Sequence, residues 1–132
     1  MLKITTNQAI KEMMMRYMLM IHEDENTYAG GTESEAWQAI IRAHSAFIDE
    51  LRTAGVMAGG LGLQPTTTAT TLRRTAGGVS THDGPYAETK EQLGGYYVID
   101  VADLDAALYW ARKIPLHGDG SIEIRPAISE AS

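Results

Sequence analysis

The chain contains no cysteine. A disulfide framework, a thiolate nucleophile and a cysteine-type zinc site are therefore excluded. Positive charge is also in short supply. Eleven lysines and arginines face 17 carboxylates, giving a formal net charge of −6 at pH 7. Capture of a phosphate backbone or an anionic membrane needs a basic surface, so neither nucleic acid nor membrane is an expected partner. Long apolar runs are missing as well. The longest near the start, Met13–Ile21, is broken by Arg16. It falls far short of the roughly 20 residues that span a bilayer, and no small-residue cleavage site follows it. The expectation is a cytoplasmic protein. The glycine-rich segments match neither GxGxxG after a strand nor a GxxxxGK phosphate loop, so a nucleotide is not expected and any cofactor is unknown.

What is present describes one globular domain. At 132 residues the chain can bury a single core but not two ordinary ones. Its 44% apolar and 21% charged fractions are those of an average folded protein. Residues 1–12 (MLKITTNQAIKE) have no period and read as an N-terminal extension ahead of a domain over 13–132.

Met15–Ile21 reads as a first strand, with Met15, Tyr17, Leu19 and Ile21 on one face and Arg16, Met18, Met20 and His22 on the other. Both faces are largely apolar, which suits a strand covered on two sides. The sequence offers only two helices, so a second subunit is the expected cover for the other face. In the first helix, Thr32 and Glu35 are placed as a capping box. Trp37, Ile40, Ile41, His44, Phe47, Ile48 and Leu51 then form its apolar stripe, and Gly55 its left-handed cap.

VMAGGLGLQ is read as a strand bulged at its glycines, TTTATTLRR as another, and VSTH as its hairpin partner across the AGG turn. DGPYAETKEQ is a loop and GGYYVIDV a strand. Asp103 caps a second helix, with Leu104, Ala107, Leu108, Ala111 and Ile114 facing inward. SIEIRP closes the chain, with Ile122 and Ile124 opposite Glu123 and Arg125. This order predicts an α+β fold, a ferredoxin-like βαββαβ unit with an inserted hairpin. Its helix-free sheet face would pair with a second copy, closing a dimeric α+β barrel.

The strings RYMLMIHEDE, LQPTTTATTLR, DGPYAETKEQLGGYYVID, ALYWARKIP and IEIRP resemble the YCII-related proteins of the DGPF (DGPFAETKE) subfamily, over about residues 15–128. The resemblance implies a homodimeric barrel of the ferredoxin-like kind. It also implies acid–base chemistry at a histidine and an aspartate in a cleft, with some relatives linked to dehydrochlorination of aromatic compounds. DGPF-type members are associated with alternative sigma factors. Tyr86 stands where the subfamily string has phenylalanine, and residues 1–12 precede the usual start.

His44 sits in the apolar stripe of the first helix; it is either a core histidine with a satisfied hydrogen bond or a proton shuttle. Asp83 opens the DGP turn, where its carboxylate either bonds nearby amides or partners His44 in catalysis. Tyr86 adds a hydroxyl to the same loop. Glu88 and Lys90 belong to a charged run that is either solvated or, as the resemblance implies, lines a ligand cleft. Glu123 and Arg125 share a face of the last strand, as a register-fixing ion pair or as an anchor for a ligand carboxylate. His22, His82 and His117 have acidic neighbours but no recognised ligand spacing, so no metal is expected.

Two functions follow as expectations. One is a small-molecule lyase or dehydrochlorinase-like enzyme using His44 and Asp83, with Tyr86, Glu88, Lys90, Glu123 and Arg125 holding the ligand. The other is a non-catalytic ligand-binding or regulatory module.

Overall fold

The computed structural model describes residues 13–128; the extension over 1–12 lies outside them. Strand β1 (Met15–Asp24) is followed by a 3-10 turn (Glu25–Tyr28) and helix α1 (Glu35–Thr53). Strand β2 (Met57–Gly62) leads through a second 3-10 turn (Thr66–Thr68) into a hairpin of β3 (Thr70–Thr75) and β4 (Gly78–Asp83). Strand β5 (Glu91–Val101), helix α2 (Leu104–Ala111) and strand β6 (Gly120–Pro126) complete it. The architecture is α+β. Four strands pair antiparallel in the order β2-β5-β1-β6, and β3 and β4 form a separate ribbon.

Alternation decides which sheet face is buried. Tyr17, Leu19 and Ile21 of β1 and Tyr97, Ile99 and Val101 of β5 point to one side. There they meet Phe47 and Leu51 of α1, Ala107 and Ala111 of α2, and Ile114. Leu19, Leu51 and Ile99 are fully enclosed, and each such burial is worth roughly 1.5–3 kcal/mol. Both helices lie on this side. The opposite face carries Met18, Met20, Tyr96 and Val98, all half-buried, and Leu61, which is 63% exposed.

Helix α1 begins two residues later than the capping box places it. Ser34, not Thr32, is the N-cap, its Oγ accepting from the Trp37 amide at 3.2 Å. A turn in which the Ser34 amide donates to the Gly31 carbonyl holds Thr32 and Glu33 outside the helix. Gly55, at φ +74, follows the helix in the left-handed conformation. Ile41 was expected on the inner stripe yet is 49% exposed; Ile40 and Ile41 lie about 100° apart around the axis, and Ile40 is the buried one. Leu104, in the first turn of α2, is likewise exposed. Asp103 caps that helix through the Ala106 amide.

Candidate functional site

A bulge sets the site's position. In β1 and β5 the register shifts between Ile21 and His22: Ile21 pairs with Gly95, and His22 with Leu93. The extra residue, Gly94, brings Leu93 beside His22 on the helix-free face, near the end of the sheet. Leu63–Ala69 crosses from β2 to the hairpin there, and Pro85–Gln92 returns from it. Between these segments lies a cleft of about 560 Å³, lined by His22, Leu63, Gln64, Pro65, Ala69, Pro85, Tyr86 and Leu93 among others. A smaller depression of about 290 Å³ adjoins it and includes Asp24, Glu25, Glu88 and Lys90. Thr66, Pro85, Thr89 and Gln92 belong to both.

Local hydrogen bonds hold the walls. Glu25 accepts from the Thr66 amide at 2.7 Å and from its hydroxyl at 2.6 Å, tying the 3-10 turn after β1 to the first wall. In the second wall, Gln92 Nε2 donates to the Ala87 and Thr89 carbonyls, and the Thr89 hydroxyl to the Glu91 carbonyl. The Ser121 hydroxyl donates to Glu91 at 2.7 Å, joining this wall to β6. The Arg73 guanidinium lies 5.9 Å from the centre of the Tyr86 ring, a cation–π contact between hairpin and loop. Tyr86 is nonetheless 80% exposed, a large aromatic side chain at the cleft margin.

The candidate residues fall in three places. Tyr86, Glu88 and Lys90 line the joined cleft. Glu123 and Arg125 point from β6 onto the helix-free face, 4.0 Å apart and both well exposed, and line neither depression. Asp83 is exposed at the end of β4, opposite Thr70. His44 is on the other side of the sheet. Its Nδ1 lies 2.7 Å from the Tyr97 hydroxyl, and its ring stacks on the Tyr97 ring at 5.9 Å. Among the described residues, His44 and Asp83 make no hydrogen bond or ion pair with each other.

Burial sets the protonation of the His44–Tyr97 pair. It lowers the imidazole pKa from its usual 6.5, against a weaker pull from the Pro115 backbone, and pushes the Tyr97 phenol up to about 12. Both groups are neutral at pH 7. The phenol is the stronger acid and the imidazole the stronger base, so the hydroxyl donates to Nδ1 and the ring proton resides on Nε2. A second phenol, the half-buried Tyr28, donates to Glu23 at 2.6 Å; partial burial and that carboxylate hold its pKa well above normal. Its ring meets Trp37 edge-on at 5.7 Å and so braces the start of α1.

His22 is the cleft residue that ligand-spacing rules do not single out. Its parity with Met18 and Met20 places it on the helix-free face. The 63–69 wall had no comparable signal, since it reads simply as strand and punctuation.

Comparison with known proteins agrees with the residue pattern. The model of the YCII-related domain matches residues 15–130. An uncharacterised protein of Rhizobium meliloti (strain 1021) is 40% identical over 114 residues, covering 85% of this chain and 91% of the relative. The chain belongs to the YCII-related domain family.

Proposed function

We propose that this chain is a ligand-binding domain of the DGPF type, acting as a homodimer and holding a small, largely apolar molecule in the cleft between residues 63–69 and 85–93. One observation carries this reading: the cleft combines an apolar lining (Leu63, Pro65, Ala69, Tyr86, Leu93) with one imidazole, His22, one carboxylate, Glu91, two side-chain amides, Gln64 and Gln92, and three threonines. Ligand sites are concave, mainly apolar, and hold a few convergent polar groups. The strand order β2-β5-β1-β6 with both helices on one side supports a ferredoxin-like unit carrying an inserted hairpin. Half-buried Met18, Met20, Tyr96 and Val98 support closure of two such sheets into a barrel. No helix among the described residues is long and apolar enough to cross a membrane; together with the lack of cysteine this fits a cytoplasmic setting.

A thermal-shift screen against metabolites and aromatic acids tests the reading. A compound that raises the melting temperature of the wild type should lose that effect in His22→Ala or Tyr86→Ala. Equal stabilisation of both variants would place binding elsewhere.

The lyase-type reading is favoured by one feature, the His22 imidazole in the cleft. In that reading His22 takes the proton-shuttle role expected of His44, whose Nδ1 is engaged by Tyr97. Chloride release from chlorinated aromatic substrates that is abolished in His22→Ala but kept in Tyr97→Phe would support it.

A further inference from the structure

The hydrogen-bonding capacity of the cleft is lopsided. A hydroxyl has one proton to give and lone pairs to receive with, and a side-chain amide gives its protons through nitrogen alone. In the cleft walls those protons are already engaged. Thr66 gives its hydroxyl proton to Glu25, Thr68 to the Pro65 carbonyl and Thr89 to the Glu91 carbonyl. Gln92 directs its Nε2 to the Ala87 and Thr89 carbonyls. The backbone repeats the pattern. The amides of Leu63, Thr66, Thr68 and Ala69 all donate within the protein, and Pro65 and Pro85 have none to give.

What the lining still offers is mainly oxygen. Gln92 keeps its side-chain carbonyl, the threonines keep hydroxyl lone pairs, and Glu91 receives the Ser121 hydroxyl at one of its two oxygens. Glu88 receives no hydrogen bond and joins no ion pair among the described residues. Donors left over are fewer: His22, Gln64 and the Tyr86 hydroxyl in the larger cleft, Asn26 and Lys90 in the smaller. Charge leans the same way. Asp24, Glu25, Glu88 and Glu91 line the joined space against Lys90 and His22, and no arginine lines it. An anion drawn to Lys90 would face Asp24, Glu25 and Glu88 in the same depression.

We infer that the ligand is an amine, an apolar body whose protonated nitrogen donates to oxygens where the two depressions join. The inference rests on the reading of the cleft as a ligand site and names the chemistry that site selects. Thr66, Thr89 and Gln92 belong to both depressions, so their oxygens border the junction. Glu91 is half-buried in the larger cleft, where its charge is screened less than in open water. The apolar body lies against Leu63, Pro65, Ala69 and Leu93. An ammonium suits such a lining because it has donors and no acceptor. A carboxylate would set acceptors against acceptors and add charge of the same sign.

Amide chemical-shift titration of the full chain with matched probes tests this. One series is phenethylamine, phenethyl alcohol and phenylacetate; the other is hexylamine, hexanol and hexanoate. In at least one series the amine should move amides at His22, within 63–69 and within 86–93, and bind at least tenfold more tightly than its alcohol and acid. Glu91→Gln, which keeps an oxygen for Ser121, and Glu88→Gln should each reduce that preference while the alcohol binds as before. A preference that survives unchanged in both variants overturns the inference. If Glu91→Gln loses its folded spectrum, Glu88→Gln decides alone: a reduced preference supports the amine, and an unchanged one overturns it. Alcohols or acids that bind in the cleft as tightly as the amines overturn the amine but leave the ligand site standing. Probes that move no cleft amide at millimolar concentration overturn both.

Discussion

His44 Nδ1 and the Tyr97 hydroxyl, 53 residues apart in sequence, meet at 2.7 Å and join helix α1 to strand β5. Replacing Tyr97 by phenylalanine keeps the ring against His44 and Phe47 but leaves a half-buried imidazole nitrogen without its donor. The expected cost is about 1–3 kcal/mol, read as a lower urea midpoint with unchanged slope. An unchanged midpoint would show that water replaces the phenol without loss.

The same pair sets a pH dependence. The pKa of His44 is lowered in the folded chain, so between the unfolded value near 6.5 and the folded value the unfolded chain binds more protons. This contribution to stability is fully present above pH 6.5 and falls as the pH drops through that window. His44→Gln should flatten the slope of unfolding free energy against pH there. Parallel curves for wild type and variant would mean that other groups govern the response.

Glu25 offers a test of how the cleft wall is held. Its carboxylate satisfies both the amide and the hydroxyl of Thr66. Glu25→Ala removes two charge-assisted hydrogen bonds, each worth about 1.5–3 kcal/mol in favourable settings. The Thr66 amide should then exchange with deuterium much faster, while amides in the centre of β1 and β5 keep their protection. Uniform loosening of both regions would point to a global role instead.

Backbone proximity dictates the edge of the sheet. A Cβ built on Gly95 would lie 2.9 Å from the Leu61 carbonyl oxygen, and one on Gly60 2.7 Å from that of Tyr96. Gly60 also stands at φ +158. Gly95→Ala should force β2 away from β5 and destabilise the chain by about 1–3 kcal/mol. Thermal unfolding indistinguishable from wild type would show that β2 shifts freely.

Much of this architecture was legible in the residue pattern, for physical reasons. Tyr17, Leu19 and Ile21 alternate, so a strand's period of two picks out the core face directly. Gly55 and Asp103 mark helix ends because their roles are local. Choices between neighbours were not legible. Thr32 and Ser34 are both good caps, and the Gly31 turn decides between them; Ile40 and Ile41 are equally apolar, yet tertiary packing buries Ile40 alone. The cleft was legible by half. Tyr86, Glu88 and Lys90 line it. The strand period already puts His22 on the helix-free face, whereas the bulge at Gly94 that sets Leu93 beside it, and the Tyr97 hydroxyl that engages His44, depend on long-range pairing that spacing does not encode.

Amide chemical-shift mapping with a compound that stabilises the wild type is the most direct test of the cleft as the working site. Perturbations should concentrate at His22, within residues 63–69 and within 86–93, and leave the amides around His44 in place. Shifts that cluster instead on helix α1 around His44, with the 63–69 and 86–93 segments silent, would contradict it.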